Sequence, residues 1–204
     1  MPAKKRLIIY VDGFNLYHGI DDLRDHKLKW LDLWKLAESL CADDEAVANV
    51  YYFSAYATWI PDAYKRHRDY VRALTSKNVT AVMGEFKKKS VTCHSCKARW
   101  DKHEEKETDV HIAVQIIHDA HEKNYDHAIL ITGDSDQAPT VKKAKAIHPQ
   151  AKFSVWTPPG RIQGCHSLGT RFEIRRARIE KCQLEDRVLA ADGSLLVERP
   201  VKYR

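Results

Sequence analysis

Four aspartates stand where a metal-dependent reaction could take place. Asp12, and the pair Asp134 and Asp136, each follow a short apolar run, and Asp109 opens the amphipathic segment that precedes the second run. Carboxylates that converge repel one another and raise their own pKa values unless a cation neutralises them, which favours hard divalent ions such as Mg²⁺ or Mn²⁺. Such an ion polarises a phosphate and acidifies a bound water, so the pattern indicates phosphoryl chemistry.

Three of the four aspartates also have an ordinary structural interpretation. The Asp12-Gly13 pair suits a turn, and Asp136 would cap a helix that begins near Pro139. Asp109 would be favoured by the dipole at the start of its own helix. The shared placement of all four favours the metal site over these separate interpretations.

Alternating strands and helices must position these acids. β-rich apolar runs predict strands at 6–11, 47–55, 79–83, 128–131 and 152–156. Apolar stripes at helical spacing predict helices at 33–40, 61–77, 110–120 and 139–147. This order predicts an α/β fold with a mainly parallel sheet covered on both faces, in which ligands bind beyond the carboxyl ends of the strands.

Three motifs resemble the signatures of the NYN domain family of PIN-like nucleases. They are VDGFN at 11–15, KETDV at 106–110 and ITGDSD at 131–136 followed by Pro139. The segments 182–184 and 192–200 also resemble the tail of the bacterial branch of that family. One departure is Glu107, where the family often has glycine, and we expect its side chain to be solvated.

The resemblance implies a three-layer α/β/α PIN-like (Rossmann-like) sandwich and metal-dependent cleavage of RNA, as an endoribonuclease. It implies that Mg²⁺ or Mn²⁺ is held by Asp12, Asp109, Asp134 and Asp136, and that Asn15 orients Asp12 or the substrate. Thr132 and Ser135 would support the loop.

Two other function classes are weighed against the ribonuclease. A phosphatase of the haloacid dehalogenase type needs a second acid two residues after its nucleophilic aspartate, and Asp12 is followed there by Phe14. A domain that binds RNA or acts as a scaffold without turnover is the alternative, although all four acids are present. His18 is the best-placed general base, but a metal-bound hydroxide needs none, so we interpret it as structural.

The segment 87–106 is polar and basic and lacks a helical or strand period, so we expect an irregular excursion from the core. It contains a C-x-x-C pair, Cys93 and Cys96, and with His103 this is a candidate zinc site. Completion of the site would need His111 or Cys165-His166, and a loop with two free thiols is the alternative. Its basic residues are candidate RNA contacts, together with the aromatic Trp100: Lys87, Lys88, Lys89, Arg99 and Lys102.

Composition bounds the remaining possibilities. The 204 residues predict a single domain, with the excursion at 87–106 and a C-terminal extension at 182–204. Lys and Arg number 34 against 28 Asp and Glu, a net charge of +6 that favours a polyanionic partner. No apolar run approaches the roughly 20 residues of a membrane span. Five cysteines argue against a disulfide framework, so we expect a cytoplasmic protein, and self-association is left open.

Overall fold

A seven-stranded sheet forms the centre of the protein, which the computed structural model describes over residues 3–169 and 171–204. The strands lie in the order β4-β3-β2-β1-β5-β6-β7, and all pairs are parallel except β3 with β4. Their bounds are β1 (Lys5–Asp12), β2 (Glu45–Ala55), β3 (Val79–Thr92), β4 (Arg99–Lys106), β5 (His127–Ile131), β6 (Lys152–Thr157) and β7 (Arg171–Glu173).

Helices cover both faces of this sheet. The helices are α1 (Gly13–Asp21), α2 (Leu33–Glu38), α3 (Pro61–Ser76), α4 (Thr108–His121), α5 (Ala138–Ile147) and α6 (Arg176–Lys181). Because side chains alternate along a strand, Leu7 and Ile9 of β1 pack with α1, α2, α3 and α6, whereas Ile8 and Tyr10 pack with α4 and α5. The predicted three-layer α/β/α sandwich is confirmed.

The helix α1 was not predicted from the sequence. It begins directly at the Asp12-Gly13 pair, which the sequence analysis interprets as turn chemistry. A Cβ on Gly13 would lie 2.6 Å from the Phe53 carbonyl oxygen, so glycine here lets the helix start against β2. The strand therefore passes into the helix without a loop, and Asp12 is its N-cap residue.

The prediction of an irregular excursion at 87–106 is wrong. β3 and β4 form a β-hairpin with eight paired positions, from Glu85 opposite Lys106 to Thr92 opposite Arg99. Opposed charges line up across the hairpin, for example Lys88 with Asp101 at 2.8 Å. The alternation that marks a half-buried strand is one of apolar and polar residues, and this exposed hairpin has almost no apolar face.

The C-terminal extension packs against the main body of the protein. Two short antiparallel strands, β8 (Arg187–Leu189) and β9 (Leu195–Glu198), lie over a small third cluster of buried residues. Trp30 is fully buried in this cluster, and Tyr203 closes it near the C-terminus. Among the described residues, no helix is long and apolar enough to cross a membrane.

The amino-end edge of the sheet carries a closed polar network. His127 Nδ1 lies 2.8 Å from Glu45 Oε1, and His127 Nε2 lies 2.9 Å from Ser154 Oγ. All three side chains are buried, and Glu45 Oε2 also accepts the Ala42 N–H. Burial lowers the pKa of His127, which the charge of Glu45 opposes.

Candidate active site

The candidate site lies at the carboxyl ends of β1 and β5, where the strand order changes direction. β1 is flanked by β2 on one side and β5 on the other, and the connections run outward in both directions from this pair. Loops that leave neighbouring strands in opposite directions open a crevice, which is the usual ligand site of open α/β sheets. Val11 is level with Ile131 in the sheet, so the residues that follow them face each other across this crevice.

Asp12 is held by hydrogen bonds from both sides of the crevice. Its Oδ1 accepts the Asn15 N–H at 3.0 Å, and its Oδ2 accepts Asn15 Nδ2 at 2.6 Å and the Thr132 hydroxyl at 2.8 Å. The side-chain Oδ1 of Asn15 in turn accepts the Gly133 N–H at 3.1 Å. Asp12 is 3% exposed, so three hydrogen bonds fix the orientation of a buried carboxylate, and the bond from Gly133 to Asn15 helps to join the two strand ends.

Asp134 continues this network along the second strand end. Its N–H donates to the Thr132 hydroxyl at 3.0 Å, and its Oδ1 accepts the Asp136 N–H at 2.9 Å. Asp134 therefore caps the short 3-10 helix Ser135–Gln137. The interpretation of Asp136 as the cap of the helix near Pro139 is wrong, because the N-cap residue of α5 is Gln137. Asp134 is half-buried, and Asp136 is exposed.

Asp109 reaches the site from α4 through Gln137. The Gln137 Nε2 amide lies 3.3 Å from the Asp109 backbone oxygen and 3.4 Å from Asp109 Oδ1. Gln137 is 3% exposed, and its Oε1 has no hydrogen-bond partner within the described parts of the chain. A buried carbonyl oxygen without a donor is costly, so this atom marks a place for a cation or a water.

The electrostatics of the site favour a cation. Burial raises the pKa of Asp12 to about 6, although the hydrogen bonds from Asn15 and Thr132 oppose the rise. Local desolvation raises the pKa of Asp109, and the charge of Asp134 adds to it. In the described ranges, none of the four aspartates forms an ion pair with Lys, Arg or His.

Glu105 is a neighbour of the site that sequence reasoning missed. Its Oε1 accepts the Thr108 N–H at 3.0 Å, and its charge contributes to the raised pKa of Asp109. Gly84 allows β4 to lie close to β3 at this point, because a Cβ there would lie 2.7 Å from the Lys106 carbonyl oxygen and 3.4 Å from Glu105 Oε1. This glycine is the signal in the sequence that could have indicated the position of Glu105. Glu107 is exposed and makes no capping bond, as expected for a solvated side chain.

The donor set suits a hard cation in an open site. No three His, Cys, Asp or Glu side chains of the described residues lie close enough together to hold a metal by themselves. The four aspartates lie at the same end of the sheet, but no three of them approach as closely as the predicted convergence required. Mg²⁺ is usually held by one or two carboxylates and keeps several waters, and carboxylate and amide oxygens are the donors it prefers.

The prediction that His103 joins Cys93 and Cys96 is wrong. His103 pairs with Lys88, four positions from the last pair of the hairpin, which is roughly 13 Å along a strand from the turn. Its ring stacks on Trp59 instead, with the centroids 3.8 Å apart. The two cysteines form a tight turn in which the Cys96 N–H lies 3.5 Å from Cys93 Sγ and lowers the pKa of that thiol.

Neither of the other proposed zinc partners is brought to the pair. Cys165 is buried and its thiol donates to the Gly133 carbonyl beside the aspartates, and His111 lies on α4. None of the five cysteines, all of which lie within the described residues, forms a disulfide bond.

The hairpin divides the predicted RNA contacts between its two faces. Lys88 and Arg99 lie on the face that carries His103 and Asp101. The opposite face, here called the lysine face, carries four lysines and Trp100, which is 51% exposed: Lys87, Lys89, Lys102 and Lys106. Two carboxylates, Glu85 and Glu104, lie among these lysines, so the lysine face keeps a surplus of two positive charges.

Comparison with known proteins adds three findings. The family model described as NYN domain matches residues 6–152. A curated relative, 6-hydroxy-3-succinoylpyridine 3-monooxygenase HspA of Pseudomonas putida, is 29% identical over 194 residues. The alignment covers 77% of this chain but only 60% of that relative.

A solved structure supports the fold. It is a protein of unknown function from Vibrio parahaemolyticus, with a TM-score of 0.55 and 19% identity. The match covers 86% of this chain and 96% of the other.

Proposed function

The chain belongs to the NYN domain family of nuclease-like domains, and we propose that it is a divalent-metal-dependent endoribonuclease. The observation that carries the proposal is the set of oxygen donors at the switch point of the sheet. Asp12 is anchored by both strand ends, and Gln137 Oε1, buried beside Asp109, has no hydrogen-bond partner among the described residues. A cation at this position would offset the burial, and the smaller mutual repulsion, that raise the pKa values of Asp12 and Asp109.

The candidate ligands of Mg²⁺ or Mn²⁺ are Asp12, Asp109, Asp134 and Asp136, with Gln137 as a further oxygen donor. One or two of these carboxylates would bind the ion directly and the others through its waters. When bound, such an ion polarises the scissile phosphate and lowers the pKa of a bound water. The residues of the protein orient the carboxylates that would hold the ion. Asn15 and Thr132 hold Oδ2 of Asp12 by two hydrogen bonds, so the carboxylate keeps one orientation while substrate enters and leaves.

The lysine face is the proposed RNA-binding surface. An aromatic path connects the hairpin with the site: Phe14, two residues after Asp12, packs on Phe86 with centroids 5.5 Å apart, and Phe86 packs on Trp59 at 4.7 Å. β3 therefore extends from the site into the hairpin as one continuous element. Phe86 lies on the face of the hairpin opposite the lysine face, so the aromatic path links the hairpin to the site without extending the lysine face. Lysines attract the phosphate backbone and an exposed tryptophan stacks on bases, so the lysine face suits an RNA strand.

A circular single-stranded RNA tests the proposal. We expect the purified chain to linearise this RNA in the presence of Mn²⁺. Cleavage should stop in EDTA and should recover when Mn²⁺ is added back. A linear RNA labelled at one end and cut internally would give the same answer. No cleavage of any RNA with Mg²⁺ or Mn²⁺ would contradict the enzyme assignment.

A scaffold that binds RNA without cleaving it is the second candidate, and the lysine face is the observation that favours it. It predicts binding that is independent of metal and falls with salt, without degradation. The circular RNA separates the two candidates, because binding and cleavage are measured on the same molecule.

A further inference from the structure

A cavity of about 200 Å³ lies beside the candidate active site, on the side of the sheet covered by α1 and α3. We call it the tyrosine pocket. Gly13 and Phe14, the two residues that follow Asp12, line one side of it, and Ser54 and Ala55 at the end of β2 line another. Phe53, the residue before Ser54, is level with Asp12 in the sheet, so the pocket adjoins the aspartate loop.

Four tyrosines give the pocket flat aromatic walls. They are Tyr17 on α1, Tyr52 on β2, Tyr70 on α3 and Tyr203 near the C-terminus. The rings of Tyr52 and Tyr70 meet edge to face with centroids 6.0 Å apart, and alanines fill much of the rest of the lining. An apolar cavity of about 150 Å³ accepts benzene, so this space is large enough for one planar ring system.

Two cations lie at the pocket, and they differ in how they are paired. The Lys29 ammonium donates to the Asp21 carboxylate and to the Tyr17 hydroxyl, so its charge is already compensated. Arg66 forms no ion pair with any carboxylate of the described residues, and it lies beside the Tyr203 hydroxyl. A guanidinium without an acidic partner at the mouth of an aromatic pocket suits an anion.

His67 supplies a neutral polar group inside the pocket. Burial lowers the pKa of His67 to about 4, so the imidazole carries no charge at neutral pH. Its Nε2 lies 3.0 Å from the Tyr52 hydroxyl. Together these groups can exchange hydrogen bonds with a heteroatom of a ring without adding a charge.

We propose that the tyrosine pocket binds a planar aromatic ring that carries an anionic group, with the ring between the tyrosines and the anion on Arg66. Two kinds of ligand have this chemistry: a nucleotide of an RNA chain and a free aromatic acid. The pocket does not depend on the metal site for its walls. Tyr203 lies outside the residues 6–152 that match the family model, so the C-terminal extension completes the pocket.

Calorimetric titration of the full chain in EDTA tests this inference without any contribution from metal or cleavage. The probes are adenosine 5′-monophosphate and nicotinate, with adenosine and inorganic phosphate as controls that lack the anion or the ring. We expect at least one probe to bind and both controls to bind more weakly. In Arg66→Gln the affinity of that probe should fall by about tenfold.

Arg68→Gln is the matched control, because Arg68 is exposed on the same helix and lies over the Tyr64 ring outside the pocket. It should leave the affinity unchanged. Ala63→Phe, which fills the pocket, should abolish binding while near-ultraviolet circular dichroism reports the native packing.

The outcomes separate the sources and decide the proposal. Binding of the nucleotide alone assigns the ring to RNA, and binding of nicotinate alone assigns it to a free aromatic acid. Absence of binding by both probes at millimolar concentration would overturn the proposal, as would equal affinities in Arg66→Gln and Arg68→Gln. Because no RNA is cleaved in EDTA, failure here leaves the proposed ribonuclease activity to its own test.

Discussion

The two edges of the central sheet carry polar networks that differ in how they are completed. At the carboxyl edge, Asp12 and Asp109 have raised pKa values, and Gln137 Oε1 has no partner in the described parts of the chain. At the amino edge, Glu45, His127 and Ser154 are all buried and bonded to one another. The network at the carboxyl edge has an unpaired oxygen and charges that a bound ligand could compensate, whereas the network at the amino edge is complete within the protein.

This difference favours the network at the carboxyl edge as the candidate functional site. The amino edge has the composition of a Ser-His-acid triad, but Ser154 is 4% exposed and lies within β6, where a substrate cannot reach its hydroxyl. A satisfied and sealed network stabilises the fold. An open network with unpaired polar groups, at a crevice between strand ends, is where a ligand can gain the most binding free energy.

The largest expected effect is on catalysis at the carboxyl edge. Asp12→Asn removes the charge of the most firmly anchored carboxylate, so RNA cleavage with Mn²⁺ should fall on the order of 10³-fold or more. Ser154→Ala, at the sealed edge, should keep the wild-type rate. Single-turnover cleavage of a labelled RNA measures both variants, and a comparable loss in the two would remove the distinction between the edges.

The next effect is on stability at the amino edge. His127→Ala leaves Glu45 buried without its imidazole partner, which should lower the free energy of unfolding by about 3 kcal/mol. His121→Ala is the control, since His121 is exposed at the end of α4 and should change stability by less than about 0.5 kcal/mol. Urea unfolding of both proteins tests this, and equal midpoints would argue against a stabilising role.

Acid should weaken the fold through the buried histidines. The pKa of His67 is lowered from 6.5 to about 4, so the unfolded chain binds its proton more tightly than the native protein does. The stability from this group is complete above pH 6.5 and declines as the pH falls towards 4, by on the order of 2 kcal/mol at pH 5. His127 acts in the same direction.

Asp12, with its raised pKa, acts in the opposite direction, so the measurement must compare variants. We expect urea unfolding at pH 7.5 and pH 5 to show a smaller difference in His67→Gln than in the wild type. An equal difference in the two proteins would mean that burial of His67 does not set its titration.

The smallest effect concerns the hairpin. Replacing Lys89 and Lys102 with glutamine removes two charges from the lysine face, and RNA binding should weaken about tenfold, with a salt dependence reduced by about 1 to 2 in log–log slope. Lys88→Gln with Arg99→Gln removes the same charge from the opposite face and should change binding less. Equal losses would show that the faces do not differ.

Local patterns in the sequence predicted the frame of the site, and contacts between distant segments decided the rest. The strand ends at Asp12 and Asp134 were predictable because a buried strand and the polar residue after it are adjacent in the chain. The hairpin was missed because it has almost no apolar face, and its register carries His103 away from the cysteines. Gln137 gave no local signal, since it acts only through its contact with Asp109, 28 residues earlier in the chain.

The most direct test of the account is the affinity for Mn²⁺ in the absence of RNA, followed by electron paramagnetic resonance. The wild type should bind the ion, and Asp134→Asn should bind it at least tenfold more weakly. Asp126→Asn is the matched control, because Asp126 lies at the other edge of the sheet and pairs with Arg6. Its affinity should equal that of the wild type. No binding by the wild type at millimolar Mn²⁺, or equal affinities in Asp134→Asn and Asp126→Asn, would contradict the assignment of the carboxyl edge as a metal site.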